Sequence, residues 1–266
     1  MHIISLGAGV QSSCLALMAK HGEILPMPKC AIFADTGGEP KAVYEYLEFL
    51  EKELPFPVHK IMHKDGLTKS IERAATGDAT RSGNPPFFTK QENSGGILSR
   101  VCTVEFKINP IKKFTRQLLG LKPRQRAGNE LLCTQWIGIS LDEIQRLRES
   151  KDKWMELRYP LIEKRMRRGD CIEWMKSNGY PEPPRSACVY CPYHSDKKWR
   201  DIKNNDAEGW QEAVRIDRLI RKGLGTTKSE LYVHNSLKPL DEVDFTNDTD
   251  RGQLTFLDEC SGMCGI

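Results

Sequence analysis

The sequence predicts an α/β fold, a doubly wound and mostly parallel sheet followed by a helical, cysteine-bearing C-terminal region. Three observations lead there. Short apolar runs at 2–6, 29–34, 57–62 and 134–139 have the length and side chains of buried strands. Amphipathic stretches of helical period lie between them, and strands alternating with helices build βαβ units. Glycine-rich turns follow the first two strands, at the end where an open parallel sheet gathers its loops.

Each element has its own reason. Residues 2–6 read as a buried strand and 12–21 as a helix with Leu15, Leu17 and Met18 apolar. The strand over 29–34 runs into Asp35-Thr36-Gly37-Gly38. Pro40 opens a helix to about residue 53, with Val43, Tyr46, Leu47 and Leu50 at helical spacing. Residues 76–101 are rich in Gly, Ser, Asn and Pro and read as one long, functional loop. A basic helix over 106–119, the strand over 134–139 and a short helix over 141–149 follow. Helices are predicted at 167–178, closed by Gly179, and at 197–204 and 207–222, with 227–266 irregular. This gives an α/β domain over 1–160 and a helical region over 161–266.

Composition narrows the classes. The 266 residues are 39% hydrophobic and 29% charged, which describes an ordinary globular protein. No apolar run reaches membrane-spanning length and no basic leader precedes the first strand, so a cytoplasmic protein with no membrane partner is expected. A net charge of +4 does not by itself argue for nucleic acid. The basic residues do cluster, at Lys112-Lys113…Arg116, Lys122…Arg126 and Lys164…Arg168. Nine cysteines, an odd number, argue against a disulfide framework. Cys14, Cys30 and Cys133 read as small buried hydrophobes, and Cys171 as structural.

The first chemical signal is Ser5-Leu6-Gly7-Ala8-Gly9-Val10-Gln11-Ser12-Ser13. Glycines let successive N–H groups point at one anion, the following helix adds positive potential, and serine hydroxyls add donors. It is neither a Walker loop nor GxGxxG. The second is Asp35-Thr36 at the next strand tip, where an acid and a hydroxyl can meet a ribose, a base or a metal such as Mg²⁺, or else cap the next helix. The third is Cys188-Val-Tyr-Cys191-Pro192: a redox pair, half a zinc site or half an iron–sulfur site. His194 stands near this pair, with a helix-cap role the plainer reading.

Together these segments resemble the PP-loop superfamily of adenine nucleotide α-hydrolases, and most closely its phosphoadenosine-phosphosulfate (PAPS) reductase branch. The resemblance runs on through Arg100-Val-Cys102…Lys107…Pro110, through Gly138…Asp142-Glu143, and through Tyr159-Pro160 ahead of the cysteine pair. It departs in lacking the loop acid of ATP-cleaving members and in having Ser140 where relatives carry arginine. The resemblance implies that Ser5, Gly7, Gly9, Gln11, Ser12, Ser13, Asp35, Thr36 and Gly138 hold an adenine nucleotide: ATP, PAPS or adenylylsulfate. It implies that Arg100 and Lys107 offset its charge. It also implies that Cys102 joins Cys188 and Cys191 on a [4Fe–4S] cluster, with zinc the alternative. The terminus, with Cys260 and Cys264, is similar to the Glu-Cys-Gly tail of sulfonucleotide reductases.

The reaction expected from this resemblance is sulfur transfer to a nucleic-acid (RNA or DNA) or nucleotide acceptor, with a sulfur- or electron-donor protein as partner. Sulfonucleotide reduction by a tail cysteine is the first rival. A non-catalytic nucleotide-binding module stapled by zinc is the second.

Overall fold

The computed structural model describes residues 1–64, 66–79, 83–90 and 95–245. Five parallel strands form the central sheet in the order β3-β2-β1-β6-β7. They are β1 (His2–Leu6), β2 (Cys30–Asp35), β3 (Val58–Met62), β6 (Cys133–Ile137) and β7 (Met155–Arg158). The chain builds outward from β1 through β2 to β3, then returns to the other side of β1 at β6. Direction therefore reverses between β1 and β6, which places the ligand crevice of a doubly wound sheet at their carboxyl ends.

Alternation along the strands sets the two faces. Ile4 and Leu6 of β1 pack with α1 (Val10–Lys20) and α2 (Lys41–Glu53). Ile3, with Cys30, Ile32 and Ala34 of β2, faces Ile111 of α4 (Asn109–Leu118) on the other side. Crossovers on opposite faces are what right-handed connections require once direction reverses.

A second core gathers α3 (Gly66–Ala75), α7 (Asp196–Asn205) and α8 (Ala207–Leu219). A small antiparallel sheet lies against it, in the order β5-β4-β8, from β4 (Phe88–Lys90), β5 (Gly95–Ile97) and β8 (Glu230–Tyr232). The cores interleave along the chain: α3 joins the second, while α6 (Arg168–Ser177), which follows the short α5 (Pro160–Glu163), sends Cys171 and Met175 into the first.

Several elements depart from the sequence expectation. The helix α3 and strand β7 were not anticipated, and the 76–101 segment contains β4 and β5. The stretch expected to be irregular from 227 carries β8. The basic helix opens with one π-helical turn, Val104–Ile108, before α4. Among the described residues no helix is long and apolar enough to cross a membrane.

Candidate functional site

The turn between β1 and α1 is self-braced. Ser12 Oγ accepts from Gly7 N–H at 3.0 Å and donates to the Gly9 carbonyl at 3.3 Å. Between the glycines, Ala8 adopts φ +54°, a left-handed conformation uncommon for a residue with a Cβ. A left-handed residue in such a turn curls the backbone into an anion-cradling concavity. The first turn of α1 has no acid and no side-chain cap, so its N–H groups and positive end stay available to a ligand. The turn has the backbone geometry and the free helix end that suit an anion.

The other loop residues divide their work. Gln11 turns away, its Nε2 donating to Glu143 Oε2 at 3.2 Å and Ser140 Oγ at 3.5 Å. Ser13 is fully buried beneath the loop, beside the Tyr46 hydroxyl. Glu143, whose carboxyl burial raises above the usual range, also pairs with Arg146. Gly138 is required sterically: a Cβ there would lie 2.7 Å from Ser12 N and 2.8 Å from its Cα. Ser5 points to the opposite face. With Gln135, Ile137, Asn109, Lys112 and Arg148 it lines a cavity of about 210 Å³ between α4 and the face of β1, β6 and β7.

At the tip of β2, Asp35 Oδ1 accepts from Gly37 N–H at 2.7 Å and from the Tyr44 hydroxyl at 2.8 Å. Burial and this acceptor raise the Tyr44 phenol, keeping it protonated as a donor. The helix cap falls to Pro40 instead. Thr36 is buried, with Oγ1 3.2 Å from Cys188 Sγ. Its carbonyl accepts from Leu67 N–H at 2.7 Å, fixing the start of α3.

The thiol turn is locked from several sides. Cys191 N–H donates to the Cys188 carbonyl at 2.9 Å, and Val189 N–H to the Gly38 carbonyl at 2.8 Å. Tyr190, fully buried between them, meets Thr68 Oγ1 at 2.8 Å. His194 neither caps nor faces outward: Ser195 caps α7, and His194 Nε2 stands 2.9 Å from the Cys188 carbonyl. Burial, with Arg185 nearby, pushes its pKa down to about 3, so the ring is neutral and its Nε2–H donates. Ahead of the turn, Ser186 Cβ lies 3.5 Å from where a Cβ on Gly9 would sit. The cysteine segment thus leans on the anion turn.

Cys102, Cys188 and Cys191 line one small cavity of about 20 Å³ with Thr36, Arg100 and Lys107. Lys107 Nζ pairs with Glu39 Oε1 at 3.1 Å in a nearly dry setting, the side chains 10% and 0% exposed. Arg100 lies over the Tyr193 ring, its Nη2 buried and without a hydrogen bond among the described residues. Three thiols beside two cations have the donor chemistry of a thiolate-held zinc or iron–sulfur centre. Among the described residues no three His, Cys, Asp or Glu side chains stand as a metal-holding group. The cavity has room for about one water-sized occupant. Cys260 and Cys264 lie outside the described residues.

The sequence reading grouped the three cysteines alone; the structure sets Thr36, Arg100 and Lys107, which that reading gave to the nucleotide, around the same cavity. It missed Glu39, whose signal was an acid directly after Asp-Thr-Gly-Gly, and Tyr190, whose burial only tertiary packing reveals.

No protein-family model matches the sequence, and no curated protein matches it. Among solved structures, a phosphoadenylyl-sulfate (PAPS) reductase from Candida auris, in a phosphate complex, overlaps 68% of this chain and 74% of its own. The identity is 13% and the TM-score 0.45. A likeness at that level assigns no activity.

Proposed function

We propose that the protein is an adenine-nucleotide-dependent enzyme of the PP-loop, PAPS-reductase-like kind that transfers sulfur to a nucleic-acid or nucleotide acceptor. One observation carries this reading: the anion turn and the cysteine cavity are parts of one construction, joined through Ser186 against Gly9 and through Val189 on Gly38. The nucleotide's phosphate would sit on Gly7-Ala8-Gly9 and the start of α1, with the 210 Å³ cavity between α4 and the sheet receiving the rest. Arg100 and the Lys107–Glu39 pair would tune the charge beside the thiols, and Asp35 would stand by for a magnesium ion. Cys102, Cys188 and Cys191 would supply the thiolates of a metal centre, and the cavity between them has room for one zinc-sized ion and not for an iron–sulfur cluster.

Calorimetric titration with ATP and with adenylylsulfate tests the reading. Gly9 has an ordinary extended backbone and a Cβ there would make ordinary contact with Ser186, so Gly9→Asp strains neither, and a thermal melt checks its fold. Its negative charge beside the cradle would oppose a bound phosphate, and we expect at least a tenfold loss of nucleotide affinity. Unchanged affinity would remove the phosphate role of the turn. Sulfite release from adenylylsulfate with a viologen reductant would assign reduction in place of transfer.

A further inference from the structure

The π-helical turn Val104–Ile108 borders three cavities. Val104 and Ile108 line the 210 Å³ cavity, Lys107 the cysteine cavity, and Glu105 and Phe106 a third cleft of about 120 Å³. π-turns recur at functional sites, because the extra residue re-aims neighbouring side chains. Here one turn aims at all three. The third cleft has no part in the nucleotide reading.

We propose that this third cleft, between α3 and the π-turn, binds a backbone phosphate of a polynucleotide acceptor through Lys64 and Arg73. The inference rests on the acceptor class proposed above. Its walls come from the β3–α3 turn (His63, Lys64), from one face of α3 (Ser70, Arg73) and from Glu105. Lys64 and Arg73 are exposed, and among the described residues neither forms an ion pair, unlike Glu72 beside them, which pairs with Arg215. Two cations from different elements at one cleft, neither in an ion pair among the described residues, offer a contact for a phosphate.

The cleft is also tied to the chemistry. Gly66 N–H donates to the His63 carbonyl at 2.9 Å, closing the turn, while Leu67 N–H holds the Thr36 carbonyl. A Cβ on Gly66 would lie 2.9 Å from that same carbonyl, so the turn is pressed against the segment that meets Cys188. Lys64 is held at φ +48°, a strained conformation that costs stability and is kept where geometry matters. Glu105 lines the cleft, its buried Oε2 without a hydrogen bond among the described residues. A carboxylate beside two cations favours a ligand that brings N–H or O–H donors together with its phosphate. A nucleotide unit has both.

The test is fluorescence anisotropy with a short labelled single-stranded RNA over a salt series, beside calorimetry with ATP, on the full chain. Lys64→Gln and Arg73→Gln alter exposed side chains and leave the fold intact, which circular dichroism checks. Each should weaken RNA binding about tenfold at low salt and flatten the plot of log affinity against log salt by about 0.7, with ATP affinity unchanged. Arg73→Lys should restore most of the loss. RNA affinity and salt slope unchanged in both variants overturn the proposal and leave the nucleotide reading standing. Equal loss of ATP and RNA affinity overturns it too, since the cleft would then serve the small nucleotide. RNA binding that depends on Lys64 and Arg73 in a protein that ignores ATP would support the cleft and remove the nucleotide reading.

Discussion

Gly38 can only be glycine because of Tyr190: a Cβ on Gly38 would lie 2.5 Å from the Tyr190 hydroxyl and under 3 Å from two ring carbons. Tyr190 has no room to yield, being fully buried. The second glycine after Asp35-Thr36 is therefore a packing residue that lets the thiol turn dock. Val189 N–H on the Gly38 carbonyl completes the dock.

Gly38→Ala should accordingly overpack this contact and cost about 1–3 kcal/mol in urea denaturation. Tyr190→Phe keeps the ring and loses only the bond to Thr68, for about 1 kcal/mol. Equal midpoints for Gly38→Ala and the parent protein would show that the dock is loose.

The glycines of the nucleotide region should differ in consequence. A Cβ on Gly7 would rest 3.6 Å from Ser12 Oγ, ordinary contact, whereas one on Gly138 would meet Ser12 backbone at 2.7 Å. Gly138→Ala should displace the anion turn and lower ATP affinity at least tenfold, while Gly7→Ala leaves the thermal midpoint nearly unmoved. The reverse order, read by calorimetry and thermal melts, would place the constraint elsewhere.

His194 gives a pH signature. Its pKa is about 3 when folded against 6.5 when free, so the unfolded chain binds the extra proton between those values. Its contribution is complete above pH 6.5 and is lost as pH falls toward 3, by about 1.4 kcal/mol for each unit inside the window. His194→Gln keeps a donor for the Cys188 carbonyl but does not titrate, so its stability should fall less steeply from pH 6.5 to 4. Parallel slopes for the two proteins would contradict the buried neutral ring.

The Lys107–Glu39 pair should show strong coupling. Lys107→Met removes the countercharge from a carboxylate whose side chain is 0% exposed, costing about 3 kcal/mol or more, and the double variant with Glu39→Leu should recover most of the loss. Additive losses in the double-mutant cycle would argue that the two groups act separately.

Much of the sheet was legible because its strands are continuous apolar runs between helices of clear period. The strand His2–Leu6 and the helix from Lys41 to Glu53 fall within a residue of expectation. The short strands β4, β5 and β8 were not legible, since three-residue pieces carry too little pattern, and β8 owes its state to β4, a partner far along the chain. The helix α3 was missed although Leu67, Ile71 and Ala74 carry its buried face. At the site, residue types marked the anion turn and the cysteine pair. The roles of Gln11 and Ser13 were not marked, because both are set by what lies opposite: Glu143 and Tyr46.

The central claim is that the anion turn and the cysteine cavity form one site. The most direct measurement is alkylation of Cys102 and Cys191, both half-buried on that cavity, followed by mass spectrometry with and without adenine nucleotide. The account predicts that saturating ATP or adenylylsulfate slows alkylation at both positions at least fivefold, and that Gly9→Asp abolishes this protection. Equal rates with and without nucleotide, in a protein shown by calorimetry to bind it, would contradict the account.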